Sequence, residues 1–157
     1  MIIDVNNALK SKCILLVYVL GNYVYYKCRI PVVKQILYIM YRVLNLLVVE
    51  VLFNNEIDGR IKIGHNFRID HPFGIIINPS VVIGDNVVIR HQVTIGNKGT
   101  INSGNPIIGN NVNIGAGAKI IGGISIGNNV SIGANSVVTH DIPDNVVVAG
   151  VPAKIIK

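Results

Sequence analysis

Residues 107–138 read IIGNNVNIGAGAKIIGGISIGNNVSIGANSVV. An aliphatic residue returns every six positions here, at Ile108, Ile114, Ile120, Ile126, Ile132 and Val138. Neither the 3.6-residue period of a helix nor the simple alternation of a strand produces this spacing. A short strand followed by a tight corner does, with the branched residue inside and glycine or asparagine at the corner. Three such units form a triangular coil of about 18 residues, and stacked coils bury a continuous aliphatic core.

The same period extends upstream to Ile57, with one two-residue shift after Ile75. A second register, four residues after the first, also points inward in this interpretation, at Ile61, Phe67, Phe73, Val81, Val87 and Val93. The polar segment 97–106 interrupts the period, either as a binding loop or as a tolerated surface insertion. The sequence therefore predicts a mainly β protein, a parallel β-helix over 56–157 with a loop at 97–106.

Residues 1–55 follow a different pattern, which predicts a helical region. Pro31 suits a first helical position, and apolar residues recur after it at three- and four-residue spacing. The Gly21-Asn22 pair predicts a break between two apolar segments. The first segment is too short to span a membrane, and charged residues interrupt the second, so no membrane span is predicted.

The chain is apolar and basic, with 50% hydrophobic residues, 14% charged residues and a net charge of +6. A typical domain carries about 25% charged residues, so apolar surface is buried in an assembly or meets a membrane. A basic balance favours anionic partners, and the absence of a nucleic-acid motif disfavours nucleic acid. Residues 1–55 are then either a cap packed on neighbouring subunits or a surface that touches a membrane. The two cysteines lack metal-ligand spacing, so we expect no metal and a cytoplasmic protein.

Several motifs resemble one family of enzymes. Residues 74–97, GIIINPSVVIGDNVVIRHQVTIGN, resemble the core of serine O-acetyltransferases, and even more closely the short acetyltransferases of capsule and O-antigen synthesis. Supporting motifs are IDHPFG (69–74), IGAGAKIIGG (114–123), IGANSVV (132–138) and AGVPAKII (149–156). The resemblance implies a left-handed β-helix, a homotrimer with active sites in the clefts between chains, and direct transfer of acetyl from acetyl-CoA to a hydroxyl.

Acetyl transfer to a hydroxyl needs a base that works near neutral pH, and histidine has a suitable pKa. His71, in IDHPFG, matches the catalytic histidine of the family. The family places an orienting carboxylate fifteen residues upstream, which is Glu56 here. Asp58 and Asp70 are alternatives, and Asp70 also matches a family position near the acceptor. His91 lies one coil after His71 once the shift is removed, so we expect the two to stack, with His91 contacting acceptor or cofactor.

The acceptor is predicted from a departure in the loop. Serine acetyltransferases that resemble this chain carry a histidine before the proline of the loop and an arginine beside it. Asn105 and Gly104 stand at those places here. Losing two cations favours a neutral sugar hydroxyl, bound by amide hydrogen bonds, over an amino acid. The sequence therefore predicts an O-acetyltransferase acting on a sugar or glycan precursor, in the cytoplasm or at the inner face of the membrane. A serine O-acetyltransferase and a non-catalytic scaffold are the alternatives.

The resemblance also implies a cofactor site held largely by backbone. Glycine and alanine allow close approach to the pantetheine arm, and lysine serves the phosphates as a point charge. The candidates are Gly96, Gly115, Ala116, Gly117, Ala118, Lys119 and Lys154. The tight corners of the coils would by themselves also explain the glycines.

Overall fold

The computed structural model describes residues 5–100 and 103–157. Helix α1 (Val5–Tyr26) and helix α2 (Pro31–Leu44) come first, and a π-helical segment (Asn45–Leu52) continues α2. Short strands follow within the described part of the chain: β1 (Glu56–Ile57), β2 (Lys62–Ile63), β3 (Arg68–Asp70), β4 (Ile76–Ile77), β5 (Val82–Ile83), β6 (Val88–Arg90), β7 (Thr94–Gly96), β8 (Ile107–Ile108), β9 (Asn113–Ile114), β10 (Lys119–Ile121), β11 (Ser125–Ile126), β12 (Ser131–Ile132), β13 (Val137–Val138), β14 (Val147–Gly150) and β15 (Ala153–Ile155).

The strands form three sheets, which are the three faces of a triangular prism. Face A contains β1, β4, β7, β10 and β13, and face B contains β2, β5, β8 and β11. Face C contains β3, β6, β9, β12 and β14 in parallel, with β15 added antiparallel to β14. Strands of successive coils return in parallel to the same face, so the chain forms a parallel β-helix, and it is of the left-handed kind that the resemblance implies.

Residues one coil apart stack directly on each other. On face A, Ile57 pairs with Ile77, Ile77 with Ile95 and Ile95 with Ile120, and all four are buried. The six-residue period therefore identified the inward positions of this face. Coil stacking also continues past Val138, where the predicted period ended, because Ile142 and Val148 join the core.

One corner corrects the predicted register. Phe73 was expected to point inward, but its side chain is 57% exposed, and the fully buried Ile75 takes the inward place. The two extra residues lie before Ile75, in the corner between β3 and β4, rather than after it. The corner is therefore longer than its equivalents, and it turns Phe73 outward beside His71.

Asparagine occupies the corners between faces B and C. These residues have positive φ values between 54° and 61°, a left-handed region that asparagine tolerates better than most residues. Each Nδ2 donates to the Oδ1 of the asparagine in the next coil, at 2.8 to 3.0 Å. The ladder consists of Asn66, Asn86, Asn111, Asn129 and Asn145. A run of identical corners thus has its amide groups paired.

Helix α1 passes through Gly21 and Asn22 without the break that the sequence predicted. Gly21 lies against the ring of Tyr41 in α2, and a Cβ on Gly21 would overlap that ring. The Tyr41 hydroxyl in turn accepts a hydrogen bond from the Gly59 N–H at 2.8 Å. The glycine therefore serves close packing of α1, α2 and the first coil. The chain breaks after Tyr26 instead, and α2 begins at Pro31 as predicted.

Helix α2 packs on the rest of the chain along one side only. Its other side, continued by Leu46 of the π-helical segment, carries aliphatic residues that are at least half exposed: Val32, Ile36, Ile39 and Val43. The helical stretch Pro31–Leu52 is long and apolar enough to cross a bilayer, although the sequence had argued against a span because of its charged residues. Length and composition do not distinguish a membrane helix from one that another protein surface covers.

Candidate active site

The corners between faces C and A form one edge of the prism, which we call the histidine edge. It carries His71 in the first coil, His91 in the second and residues 115–117 in the third. Strand β15, with Lys154, is the last strand of face C, five strand spacings from β3. Stacked strands lie about 4.8 Å apart, so the edge runs for about 24 Å from His71 to the coil of Lys154. A long cofactor can lie along such an edge.

The two histidines of this edge contact each other. Their rings meet edge to face, with centroids 6.1 Å apart and an interplanar angle of 82°. His71 has a left-handed backbone conformation, with φ of 56°, and its side chain is exposed. His91 is partly buried, and its Nδ1 has no hydrogen-bond partner among the described residues. A buried polar atom normally has a partner, so the Nδ1 of His91 is an exception among the described residues.

A cavity of about 510 Å³ opens beside the two imidazoles. Its lining comes from α1, from the end of the helical region and from the long corner: Lys10, Leu52, Phe53, His71, Pro72, Phe73 and His91. The outward turn of Phe73 therefore builds part of its apolar wall. A hydroxyl that enters this cavity can reach an exposed imidazole, which is the arrangement that general-base catalysis needs.

Asn55 fastens the corner that carries His71. The residue is 1% exposed, and its Nδ2 donates to the carbonyl oxygens of Phe53 (2.9 Å) and Pro72 (3.3 Å). Its Oδ1 accepts a hydrogen bond from the Ile75 N–H at 2.9 Å. One buried side chain thus joins the end of the helical region to the long corner. Sequence reasoning missed Asn55, which belongs to no motif, and a polar residue directly before an inward strand was the only available signal.

The three carboxylates considered as partners of His71 have other surroundings in the single chain. Asp70 pairs with the Nε of Arg68 at 3.1 Å, and Asp58 pairs with the Nε of Arg60 at 2.9 Å. Glu56 is exposed on β1 and lines cavities that contain Glu50 but not His71. In the described ranges Glu56 makes no hydrogen bond or ion pair with another side chain. An orienting carboxylate for His71 stays a prediction.

Gly96 and Asn105 lie away from the histidines, towards the edge between faces A and B. The Oδ1 of Asn105 is buried and, within residues 5–100 and 103–157, has no hydrogen-bond partner. At Gly96 an added Cβ would meet nothing closer than the Asn78 Cβ at 3.6 Å, so coil packing does not require glycine there. The candidate residues of one chain are thus divided between two edges.

The other cofactor candidates differ in how they are placed. At Gly115 an added Cβ would lie 2.5 Å from the Ala134 nitrogen, so coil stacking already requires glycine there. Gly117 has φ of 72°, which favours glycine in any case, and Ala116 is partly exposed beside it. Ala118 is fully buried in the core and offers no surface to a ligand.

The two lysine candidates are also placed differently from each other. The Nζ of Lys119 donates to the Gln92 carbonyl at 2.6 Å, at the corner that follows His91, whereas Lys154 is exposed on β15. The Nζ of Lys119 thus uses one of its three N–H donors within the chain and keeps two for a phosphate, whereas Lys154 stands on the surface of the last strand.

A pair of glycines holds the loop at 97–106 against the β-helix. An added Cβ on Gly104 would lie 3.0 Å from the Cα of Gly123, and one on Gly123 would lie 2.9 Å from the Cα of Gly104. The glycine at 104, where the resembling enzymes have arginine, thus has a packing reason. No group of three His, Cys, Asp or Glu side chains in the described part of the chain is arranged to hold a metal ion.

The chain is similar to a known family of repeat proteins and to solved serine acetyltransferases. The family described as bacterial transferase hexapeptide (six repeats) matches residues 105–140. A serine acetyltransferase from Brucella abortus in complex with coenzyme A is 33% identical, with a TM-score of 0.77 over 94% of this chain. A serine acetyltransferase from Neisseria gonorrhoeae in complex with serine is 30% identical, with a TM-score of 0.76 over 94% of this chain.

The similarity covers almost all of this chain but only part of each solved structure. A truncated serine acetyltransferase apoenzyme is 34% identical with a TM-score of 0.78, and this chain covers 58% of it. The chain covers 56% of the Brucella enzyme and 57% of the Neisseria enzyme. It therefore spans somewhat more than half the length of these solved structures. No curated protein sequence matches the chain.

Proposed function

We propose that this chain, which carries bacterial hexapeptide repeats on a left-handed β-helix, is an acetyl-CoA-dependent O-acetyltransferase. His71 acts as the general base: it removes the proton of the acceptor hydroxyl while the oxygen attacks the thioester carbonyl. The tetrahedral intermediate then collapses, the carbon–sulfur bond breaks, and the proton passes to the leaving thiolate. The observation that carries this proposal is the histidine edge, where His71 and His91 stack beside the 510 Å³ cavity.

We propose that acetyl-CoA lies along the histidine edge, with its acetyl group at His71. The edge offers partly exposed small residues at 115–117 and a cation at Lys154, about 24 Å from His71. The solved Brucella serine acetyltransferase with coenzyme A supports this donor. Gly96 lies on the other edge, so it would reach this cofactor only from a neighbouring chain, and its open surface has no packing explanation within its own chain.

The division of candidate residues between two edges supports a homotrimer. In the proposed trimer the edge between faces A and B of one chain would meet the histidine edge of the next. Gly96 and Asn105 of one chain would then join His71 and His91 of its neighbour.

Two acceptors compete, and the comparisons support serine. Solved serine acetyltransferases match 94% of the chain, and one of them was solved with serine. A sugar hydroxyl is the second candidate, favoured by the amide of Asn105 and by Gly104, neither of which can bind a carboxylate as a cation does. In either case the proposed enzyme works in the cytoplasm.

Contact with a membrane is a further proposal for residues 1–55. The exposed aliphatic side of α2 and an excess of basic residues, six against two acidic ones, would suit an anionic bilayer surface. Flotation with anionic phospholipid vesicles tests this contact. Failure of the chain to float with the vesicles at low salt would contradict it.

The function is tested by release of free CoA from acetyl-CoA, with serine and with a panel of sugars and capsule oligosaccharides. We expect His71→Ala to lower turnover by about 100-fold or more while acetyl-CoA still binds. His140→Ala, at an exposed histidine outside the cavity, is the control and keeps the wild-type rate. Near-full activity of His71→Ala would exclude His71 as the base. Absence of both turnover and acetyl-CoA binding would favour a non-catalytic scaffold.

A further inference from the structure

The beginning of α1 is fastened beside the histidine edge. The Oγ of Ser11, which is buried, donates to the carbonyl oxygen of Ile69 at 2.8 Å. Ile69 lies in β3, two residues before His71. Lys10, the residue before Ser11, consequently lines the same cavity as His71 and His91, although about 60 positions separate it from His71. The contact between α1 and β3 thus brings a cation into the cavity.

The charges around the cavity favour an anion. Among the lining residues that the structure describes, Lys10 has the one permanent charge and none is a carboxylate. Asp70, the residue directly before His71, is already paired with Arg68. The other walls include the apolar side chains of Leu52, Phe53 and Phe73, which offer no acidic group to compete with an anion for Lys10.

We propose that Lys10 binds an anionic group of the acceptor, a carboxylate or a phosphate carried by the same molecule as the reacting hydroxyl. The inference rests on the proposed function, and it narrows the class of acceptor that the proposed enzyme would use. The helical region would supply the positive charge that Asn105 and Gly104 do not supply in the loop. The acceptor class is then a hydroxy or amino acid, a uronic acid or a sugar phosphate, and a neutral sugar is excluded.

The phosphates of CoA are the other source of negative charge, and their proposed position separates them from Lys10. The thioester of the cofactor must lie at His71, where the acceptor also enters. The candidate phosphate ligand Lys154 lies at the opposite end of the histidine edge, about 24 Å away. Lys10 stands at the thioester end, which is the place of the acceptor.

The test uses the full chain and acceptors matched in all but charge: serine against serinamide, and galacturonic acid against galactose. We expect the wild type to prefer the charged member of the pair that it uses. Lys10→Met should raise the KM for that acceptor about tenfold, with kcat changed less than about twofold and the KM for acetyl-CoA unchanged. Lys10→Arg should keep the preference. Lys12→Met, two residues further along α1 and outside the cavity, is the matched control and behaves as wild type.

Three outcomes of the kinetics overturn the inference: equal use of charged and neutral acceptors by the wild type, no effect of Lys10→Met, or an effect on the KM for acetyl-CoA alone. A binding measurement separates this failure from failure of the proposed function. Titration of each acceptor is followed by the imidazole NMR signals of the wild type and Lys10→Met. We expect saturable shifts with the charged acceptor in the wild type only. If CoA release is absent but these shifts occur, the function fails and the anion site stands; no shift in the wild type overturns the anion site.

Discussion

The β-helix and the helical region bury their apolar residues in opposite ways. In the β-helix each inward residue contacts the equivalent residue one coil away, so a single chain completes the core, as Ile120 shows with 0% exposure. In the helical region α2 packs along one side, and residues such as Ile39 are 58% exposed on the other. A repeated unit thus buries its own apolar surface, whereas the unrepeated helices leave apolar surface for another chain or a bilayer.

The largest expected effect comes from making the same substitution, isoleucine to alanine, once in each region and comparing the losses of stability. Ile120→Ala should lower the free energy of unfolding by about 2–5 kcal/mol, because it removes buried methyl groups and leaves a cavity in the continuous core. Ile39→Ala should lower it by less than about 0.5 kcal/mol, because the side chain is mainly exposed. Urea unfolding at low protein concentration measures both. A large loss for Ile39→Ala would mean that α2 is already covered in the folded assembly.

Two glycines test whether packing or ligand approach explains small residues in the coils. Gly109→Ala places a Cβ 2.7 Å from the Gly127 carbonyl oxygen, so we expect a loss of about 1–3 kcal/mol in unfolding free energy. Gly96→Ala meets only the Asn78 Cβ at 3.6 Å and should leave stability within about 0.5 kcal/mol of wild type. Acetyl-CoA binding to Gly96→Ala, measured by calorimetry, should weaken. Unchanged affinity would remove Gly96 from the proposed cofactor site.

Asn55 tests the joint between the two regions. Asn55→Ala should lower the free energy of unfolding by about 2 kcal/mol, because it leaves the Pro72 carbonyl and the Ile75 N–H without their partner. It should also lower kcat more than it changes the KM for acetyl-CoA, since the corner that it loosens carries His71. Asn55→Asp keeps the acceptor for Ile75 but places a buried carboxylate oxygen against the Phe53 and Pro72 carbonyl oxygens, so it should not recover stability at neutral pH. Equal kcat values for wild type and Asn55→Ala would show that the corner holds His71 without Asn55.

The smallest expected effect is a dependence of stability on alkaline pH in the helical region. Burial raises the pKa of Tyr41 to about 12, against 10.0 for an ordinary tyrosine. The neutral phenol is therefore favoured in the folded chain, and its contribution is complete below about pH 10 and is lost as the pH rises towards 12. The urea midpoint should fall more between pH 8 and pH 11.5 for the wild type than for Tyr41→Phe. Equal falls would show that Tyr41 does not titrate on unfolding.

Much of the site could be predicted from the sequence. The residues that could not be predicted make contacts that do not repeat along the chain. The period predicted that His71 and His91 would stack, because residues one coil apart are neighbours by construction. Phe73 escaped the period because two inserted residues lengthen its corner, and their place within the corner leaves no trace in the spacing. Lys10 and Asn55 were missed because their neighbours are set by packing between the helices and the first coil, which has no period.

The sequence by itself determined the β-helix, its inward residues outside the long corner, and the histidines of one edge. Each of these depends on a local unit that repeats, so the environment of one unit predicts that of the next. The tertiary structure alone decided that α1 brings Lys10 to the histidines, that Asn55 closes the long corner and that α2 keeps an apolar side exposed. These contacts join residues with no regular separation, as with Ser11 and Ile69, and only the folded chain shows which of them meet.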